Sequence, residues 1–201
     1  MNRRRILNNR QPLTFNQYLE LPFALEDILA EFDCRLVRQP RDLPRQPLTA
    51  PIEPLLHQIN RNRKHIELVN ERSHREALIA PILFEVADLT DSRIYIEYSM
   101  GVSEHLRGTV DYYIASHNVV VVEAKQSDLV RGFTQLAIEL IALDGWVQSD
   151  APILYGIVTT GEDWRFGLFD RRERCIQQDP KRYLVPEELT LLLEILVGIV
   201  G

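Results

Sequence analysis

The sequence predicts an α/β fold: a central mixed sheet of four to five strands flanked by helices, with an N-terminal helical extension. Three observations carry this. Runs with strand-like alternation or β-branched content occur at Arg93–Tyr98, Thr109–Ala115, Asn118–Lys125, Pro152–Thr159 and Trp164–Phe169. A stripe of helical spacing, Leu129 to Leu143, separates the third run from the fourth and makes a crossover, which implies a mixed sheet. A further helical stretch, Glu53 to Asp88, precedes the strands.

In chain order, Phe15, Tyr18, Leu19, Leu25, Ile28, Leu29 and Phe32 recur at spacings suited to one or two short helices, and a short strand follows near Arg35–Arg38. Pro40, Pro44, Pro47, Pro51 and Pro54 then mark a connector, because a ring-locked residue without an N–H suits neither helix interior nor central strand. Residues 1–50 therefore read as an extension and connector, docked on the main domain or reaching to a partner, and residues 51–201 as the α/β domain. The Glu53–Asp88 helix has a break near His65–Asn70. Its apolar face comprises Leu78, Ile79, Ile82 and Val86, with Glu71 about 50° from the centre and Glu76 about 90° away on the other side. Glu71 is the acid expected to turn toward the sheet, with Pro81 a source of kinking. Glu97 is assigned to solvent. Gln135 falls on the more polar side of the Leu129–Leu143 helix, with Asp128 and Arg131. The final segment, Glu187–Val200, is apolar on nearly every side, so it either covers the sheet or forms a dimer seam.

The chemistry concentrates in one hairpin. Val119 to Val122 are four valines leading into Glu123-Ala124-Lys125, and residues two apart on a strand share a face, so Glu123 and Lys125 point together. Only three of the 23 basic residues are lysines, and lysine is the cation whose pKa shifts readily on burial. With the loop Ser116-His117-Asn118 centred on His117, Ala115 meets Val119, Tyr113 meets Val121 and Asp111 meets Glu123. Directly opposed side chains sit about 4.5–5.5 Å apart at Cβ. Two carboxylates so placed repel unless they share a proton or a cation. Mg²⁺ or Mn²⁺ held by Asp111 and Glu123, with Lys125 acting on the attacking water, forms a unit for metal-assisted phosphodiester hydrolysis.

These residues resemble the core of the PD-(D/E)XK, or restriction-endonuclease-like, nuclease superfamily. Gly108, Asp111 and the valine strand into Glu123-Ala124-Lys125 are similar to the N-terminal nuclease domains of type I restriction subunits. The likeness spans about residues 67 to 170. It implies a supporting acid on the preceding helix, where Glu71, Arg75, Leu78 and Ile79 match the family spacing, and a supporting glutamine on the following helix, which is Gln135. Pro81 departs from the family pattern.

Composition sets the remaining bounds. A chain of 201 residues with 45% hydrophobic and 26% charged content suits one soluble globular domain with an extension. Two cysteines, Cys34 and Cys175, have neither zinc-site nor disulfide-framework spacing, and a reducing, cytoplasmic setting is expected. Arg3–Arg5 lack the apolar run of a signal peptide, and no apolar run is long enough for a membrane span. No G-x-S-x-G, P-loop or G-x-G-x-x-G is present, and the histidines show no metal-ligand spacing. The net charge of −6 is uneven: residues 1–75 carry 13 basic against 9 acidic side chains, and the basic ones are candidates for a phosphate groove. The expectation is a metal-dependent nuclease of DNA in a restriction, repair or mobile-element setting. The alternative is a catalytically inactive nucleic-acid-binding or assembly module on the same fold. DNA, a second copy meeting through the C-terminal helix, or a separate subunit are the expected partners.

Overall fold

The computed structural model describes residues 6–7, 11–115, 119–123 and 128–201, with the backbone alone at 119–123. A mixed sheet flanked by helices forms as expected, and it is wider than the expected core. Strands β1 (Arg35–Arg38), β2 (Ile94–Ser103), β3 (Leu106–Ile114), β4 (Val119–Glu123), β5 (Ile153–Thr159), β6 (Asp163–Asp170) and β7 (Cys175–Gln178) lie in the order 1-7-6-5-4-3-2, and β8 (Tyr183–Leu184) also pairs with β6. The β4–β5 and β1–β7 contacts are parallel and the others antiparallel.

Helix α5 (Leu129–Trp146) makes the crossover between β4 and β5. Asp128 caps it by accepting the Arg131 N–H at 3.0 Å. It lies close to the sheet because Gly156 and Gly167, partners across β5 and β6, have no side chains; a Cβ at either would come within 2.5 to 2.8 Å of Leu136 or Phe133. The outer side of α5 is covered by the N-terminal segment. A 3₁₀ helix (Phe15–Glu20) and α1 (Leu25–Ala30) bury Phe15, Tyr18, Ile28 and Leu29 in the same core, and β1 then joins the sheet edge.

The opposite face is covered by α2 (Glu53–His65), α4 (Ala80–Thr90) and α6 (Leu189–Val200). The expected break after His65 is present, and Asn70 then caps α3 (Glu71–His74) by accepting the Ser73 N–H at 2.9 Å. The chain runs from α3 into α4 through a π-helical turn, Arg75–Ile79. Pro81 has no N–H for the Ala77 carbonyl, and the Asn62 side chain donates to it at 2.8 Å. Helix α6 resolves the choice left by its sequence: Leu189, Leu192, Leu193, Ile195, Leu196, Val197, Ile199 and Val200 are buried within the chain. Its apolar residues pack within the chain, against the sheet and α4. No helix among the described residues is long and apolar enough to cross a membrane.

The β2–β3 hairpin is longer than its sequence suggests, because Gly101 and Gly108 lie inside strands. The β3–β4 register also differs from the expected one. Ile114 pairs with Val119, Tyr113 with Val120 and Tyr112 with Val121. Ala115 does not face Val119, and its N–H is given to the Arg93 carbonyl on the other side of β3 at 3.1 Å. This slip of one residue places Asp111 level with Val122, and Glu123 level with Val110. The direct Asp111–Glu123 opposition does not form; the two stand diagonally on neighbouring strands.

Candidate functional site

The residue alternation of β2 and β3 reverses at one point, and Asp111 stands there. In a regular strand Val110 and Tyr112 would share a face. Val110 instead packs into the core beneath α5, and Tyr112 into the core beneath α4 and α6. On β2, Tyr98 packs toward α5 and Ile94 toward the other core, although they too are an even number apart. The ladder pairs Ile96 with Tyr112 and Tyr98 with Val110, and skips Glu97 and Asp111 between them. Glu97 has a φ of 51°, a left-handed backbone unusual for a glutamate within a strand. Asp111 thus emerges between the helix layers instead of into one of them.

From the α4 side, Arg75 reaches this point. Its Nη1 lies 3.3 Å from Asp111 Oδ1 and 3.4 Å from Glu97 Oε1, and its guanidinium lies over the Tyr112 ring, 5.2 Å from the centroid. Arg75 is the first residue of the π turn. A π turn carries one extra residue, so positions before it rotate against the apolar stripe and the uninterrupted wheel fails. That is why Arg75 turns to the sheet. Glu71 stands farther out, in the lining of a cavity of about 780 Å³ with Arg75, Phe84, Ile96, Glu97 and Tyr112. Glu97, expected in solvent, has an exposed side chain yet joins the Arg75 cluster.

From the α5 side come Gln135 and Glu139. Gln135 was expected on a polar side, but it is buried. Its Nε2 donates to Glu139 Oε1 at 2.8 Å. Glu139 is wholly buried. Loss of water raises its pKa well above the usual carboxylate range, the Gln135 hydrogen bond opposes that rise, and the charge of Asp111 adds to it. Sequence reasoning passed over Glu139, although an acid inside the apolar run Leu136–Leu143 was a readable signal.

The backbone of Glu123 ends β4, paired with Thr159 of β5. Its side chain and all of Lys125 lie outside the described residues. At Asp111 the chain thus brings together Arg75 and Glu97, and the Asp111 charge also bears on the buried Glu139. No protein-family model, curated protein or solved structure matches this chain. The site must be read from its own chemistry.

That chemistry is acidic. Glu97 and Asp111 share one guanidinium, and Glu123 is one strand away. Among the described residues no group of three or more His, Cys, Asp or Glu is gathered to hold a metal. Mg²⁺ bound through one or two carboxylates and water does not require such a group. The partly exposed Asp111 carboxylate, in surroundings of net negative charge, fits that mode. Five of the described arginines of the first 75 residues lie on different elements. Arg35 and Arg38 lie on β1, Arg63 on α2, and Arg72 and Arg75 beside β3; each is ion-paired with an acid.

Proposed function

We propose that this protein is a metal-dependent nuclease that hydrolyses phosphodiester bonds of DNA. The observation that carries the reading is the placement of Asp111 where two strands change face, close to the end of β4 and within reach of both helix layers. Asp111 and Glu123 would hold Mg²⁺ or Mn²⁺, which when bound supplies Lewis-acid charge to the phosphoryl oxygens and lowers the pKa of bound water. Lys125, two residues beyond Glu123, orients or deprotonates the attacking water. Gln135 supports that water by hydrogen bonding, Glu71 borders the approach, and Arg75 offsets charge on the substrate phosphate.

A second reading, an inactive nucleic-acid-binding or assembly module, draws on the Arg75 contact: the guanidinium already neutralises Asp111 without a metal. One experiment separates the two. Labelled single- and double-stranded DNA are incubated with wild type, Lys125→Ala and Asp111→Asn in Mg²⁺, Mn²⁺ or EDTA. The nuclease reading expects metal-dependent cutting by wild type, lost in both variants at unchanged melting temperature, with weaker metal binding in Asp111→Asn. Binding of DNA without cutting under every metal condition would establish the second reading.

A further inference from the structure

Arginine side chains from three parts of the chain meet at one cavity. Arg63 comes from α2, Arg165 from β6 and Arg182 from just before β8, and together they line a space of about 570 Å³. Two of them share a single carboxylate. Arg182 places Nε 2.9 Å and Nη2 2.8 Å from Asp163 Oδ2. Arg165 Nη2 lies 3.0 Å from the same oxygen, and its Nε 3.4 Å from Oδ1. Asp163 is only 8% exposed, so it acts as a buried clamp on both. One negative charge against two guanidiniums leaves a positive charge over, and like charges gathered so closely repel.

Asp163 also decides which donors stay available. Each of the two guanidiniums spends Nε and Nη2 on it, and Nη1 is left over. The Thr160 hydroxyl oxygen, in the same lining, accepts the Asp163 N–H at 3.1 Å, so its own proton is left to donate. The other acids of the lining do not cancel this set. Glu162 is taken by Arg63 at 2.7 Å, Asp128 by Arg131 at 3.3 Å, and Glu187 is exposed. The cavity lies past the ends of two parallel strands: Thr160 follows Thr159, which ends β5 and is paired with Glu123 at the end of β4. Leu129 and Val130 also line it, which brings the N-terminal end of the 18-residue helix α5 to the same place. Open α/β sheets bind their ligands outside the carboxyl ends of the strands.

We propose that this cavity is a phosphate-binding site, in which Arg165, Arg182 and Thr160 hold a phosphate group of the nucleic-acid strand. A phosphate has several oxygens to meet forked guanidinium donors, and its charge offsets the excess that Asp163 leaves. The strand as its source rests on the nuclease reading; the binding of phosphate does not. Arg182→Gln is the variant of choice, because it removes one guanidinium and leaves Asp163 paired with Arg165. Arg35→Gln controls for lost charge, since Arg35 is similarly exposed and lies on β1.

Melting temperature is followed as inorganic phosphate replaces chloride at constant ionic strength, each protein being compared with itself in chloride. Phosphate is expected to raise the melting temperature of wild type and Arg35→Gln and to leave that of Arg182→Gln unmoved. Affinity for labelled single-stranded DNA is then measured in EDTA over a range of salt. Arg182→Gln should bind about 10-fold more weakly, and its logarithmic salt slope should fall by about 0.7, the share of one phosphate contact. Arg35→Gln should match wild type. Loss of the phosphate shift with DNA binding absent or unchanged overturns the strand as the source and assigns the site to a free phosphate compound. Phosphate acting on wild type no more strongly than chloride, or equally on wild type and Arg182→Gln, overturns the site. Absence of metal-dependent cutting by wild type overturns the nuclease reading and the strand as source, while the phosphate measurement still decides the site.

Discussion

Single side chains decide this site, and Glu139 also sets a pH dependence that stability alone can test. Its pKa is raised in the folded protein by burial and by the Asp111 charge. Below the ordinary carboxylate pKa, folded and unfolded forms both hold the proton, and no stability is lost. As the pH rises above it, the unfolded chain releases the proton while the folded one keeps it, so stability falls until the folded pKa is reached. The slope has an upper limit of about 1.4 kcal/mol per pH unit. Denaturant unfolding of wild type and Glu139→Gln between about pH 5 and pH 8 should show wild type losing stability relative to the variant as the pH rises. Equal slopes would mean that Glu139 is charged in the folded protein. The same residue shows why side-chain detail was hard to read from the sequence. An exposed helix can be divided into wet and dry sides by its periodicity, but α5 is buried against the sheet and covered again by the N-terminal segment. Gln135 on such a helix has no wet side to choose.

Elements were more legible than their alignment. The helices, the β5–β6 hairpin, the short strand Arg35–Arg38 and the break after His65 follow from periodicity, β-branched runs and proline positions. The β3–β4 register did not, because a shift of one residue leaves the same β-branched run in place and no residue pattern marks it. The direction of Glu71 and Arg75 did not either, because no residue pattern marks a π turn. Gly108 is a case in which an element boundary was misread for a physical reason. It lies inside β3, at a φ of 153°, because Phe15 packs where its side chain would be. A Cβ there would lie 2.6 Å from Phe15 Cδ2 and 3.1 Å from the Phe15 backbone nitrogen. Gly108→Ala should therefore cost about 1–3 kcal/mol and release the 3₁₀ helix to limited proteolysis. Gly101→Ala is the control, since its nearest neighbour is Arg107 Cβ at 4.0 Å. Equal proteolysis of both variants would show that Phe15 does not anchor the segment.

The molecule has a three-layer form, with α5 and the N-terminal segment on one face of the sheet and α2, α4 and α6 on the other. Among the described residues the buried apolar side chains form two separate cores, one on each face of the sheet. Helix α6 tests whether they unfold together. Leu192 and Leu196 are fully buried, and replacing either by alanine should cost about 2–5 kcal/mol. If the layers form one cooperative unit, tryptophan fluorescence and far-ultraviolet circular dichroism will report coincident, equally shifted urea transitions in each variant. Separated transitions would show that the α5 layer survives loss of the α6 layer. The cluster at Asp111 is the place where such a separation would be felt, because Arg75 belongs to one layer and Glu139 to the other.

The route of residues 14–38 has a consequence for how the protein is made. The segment is fastened near one margin of the sheet, where Thr14 bridges Arg107 and Tyr18 donates to the His105 carbonyl at 2.7 Å. It crosses the back of α5 and is fastened again at the other margin, where Arg35 pairs with Cys175. On a ribosome this strap emerges well before β7, its last anchorage, has been made. Phe15, Tyr18, Ile28 and Leu29 therefore stay apolar and incompletely covered until the later elements of their core are made. Slow decoding anywhere between the strap and β7 lengthens that wait, and it is there that a chaperone would have the most to protect.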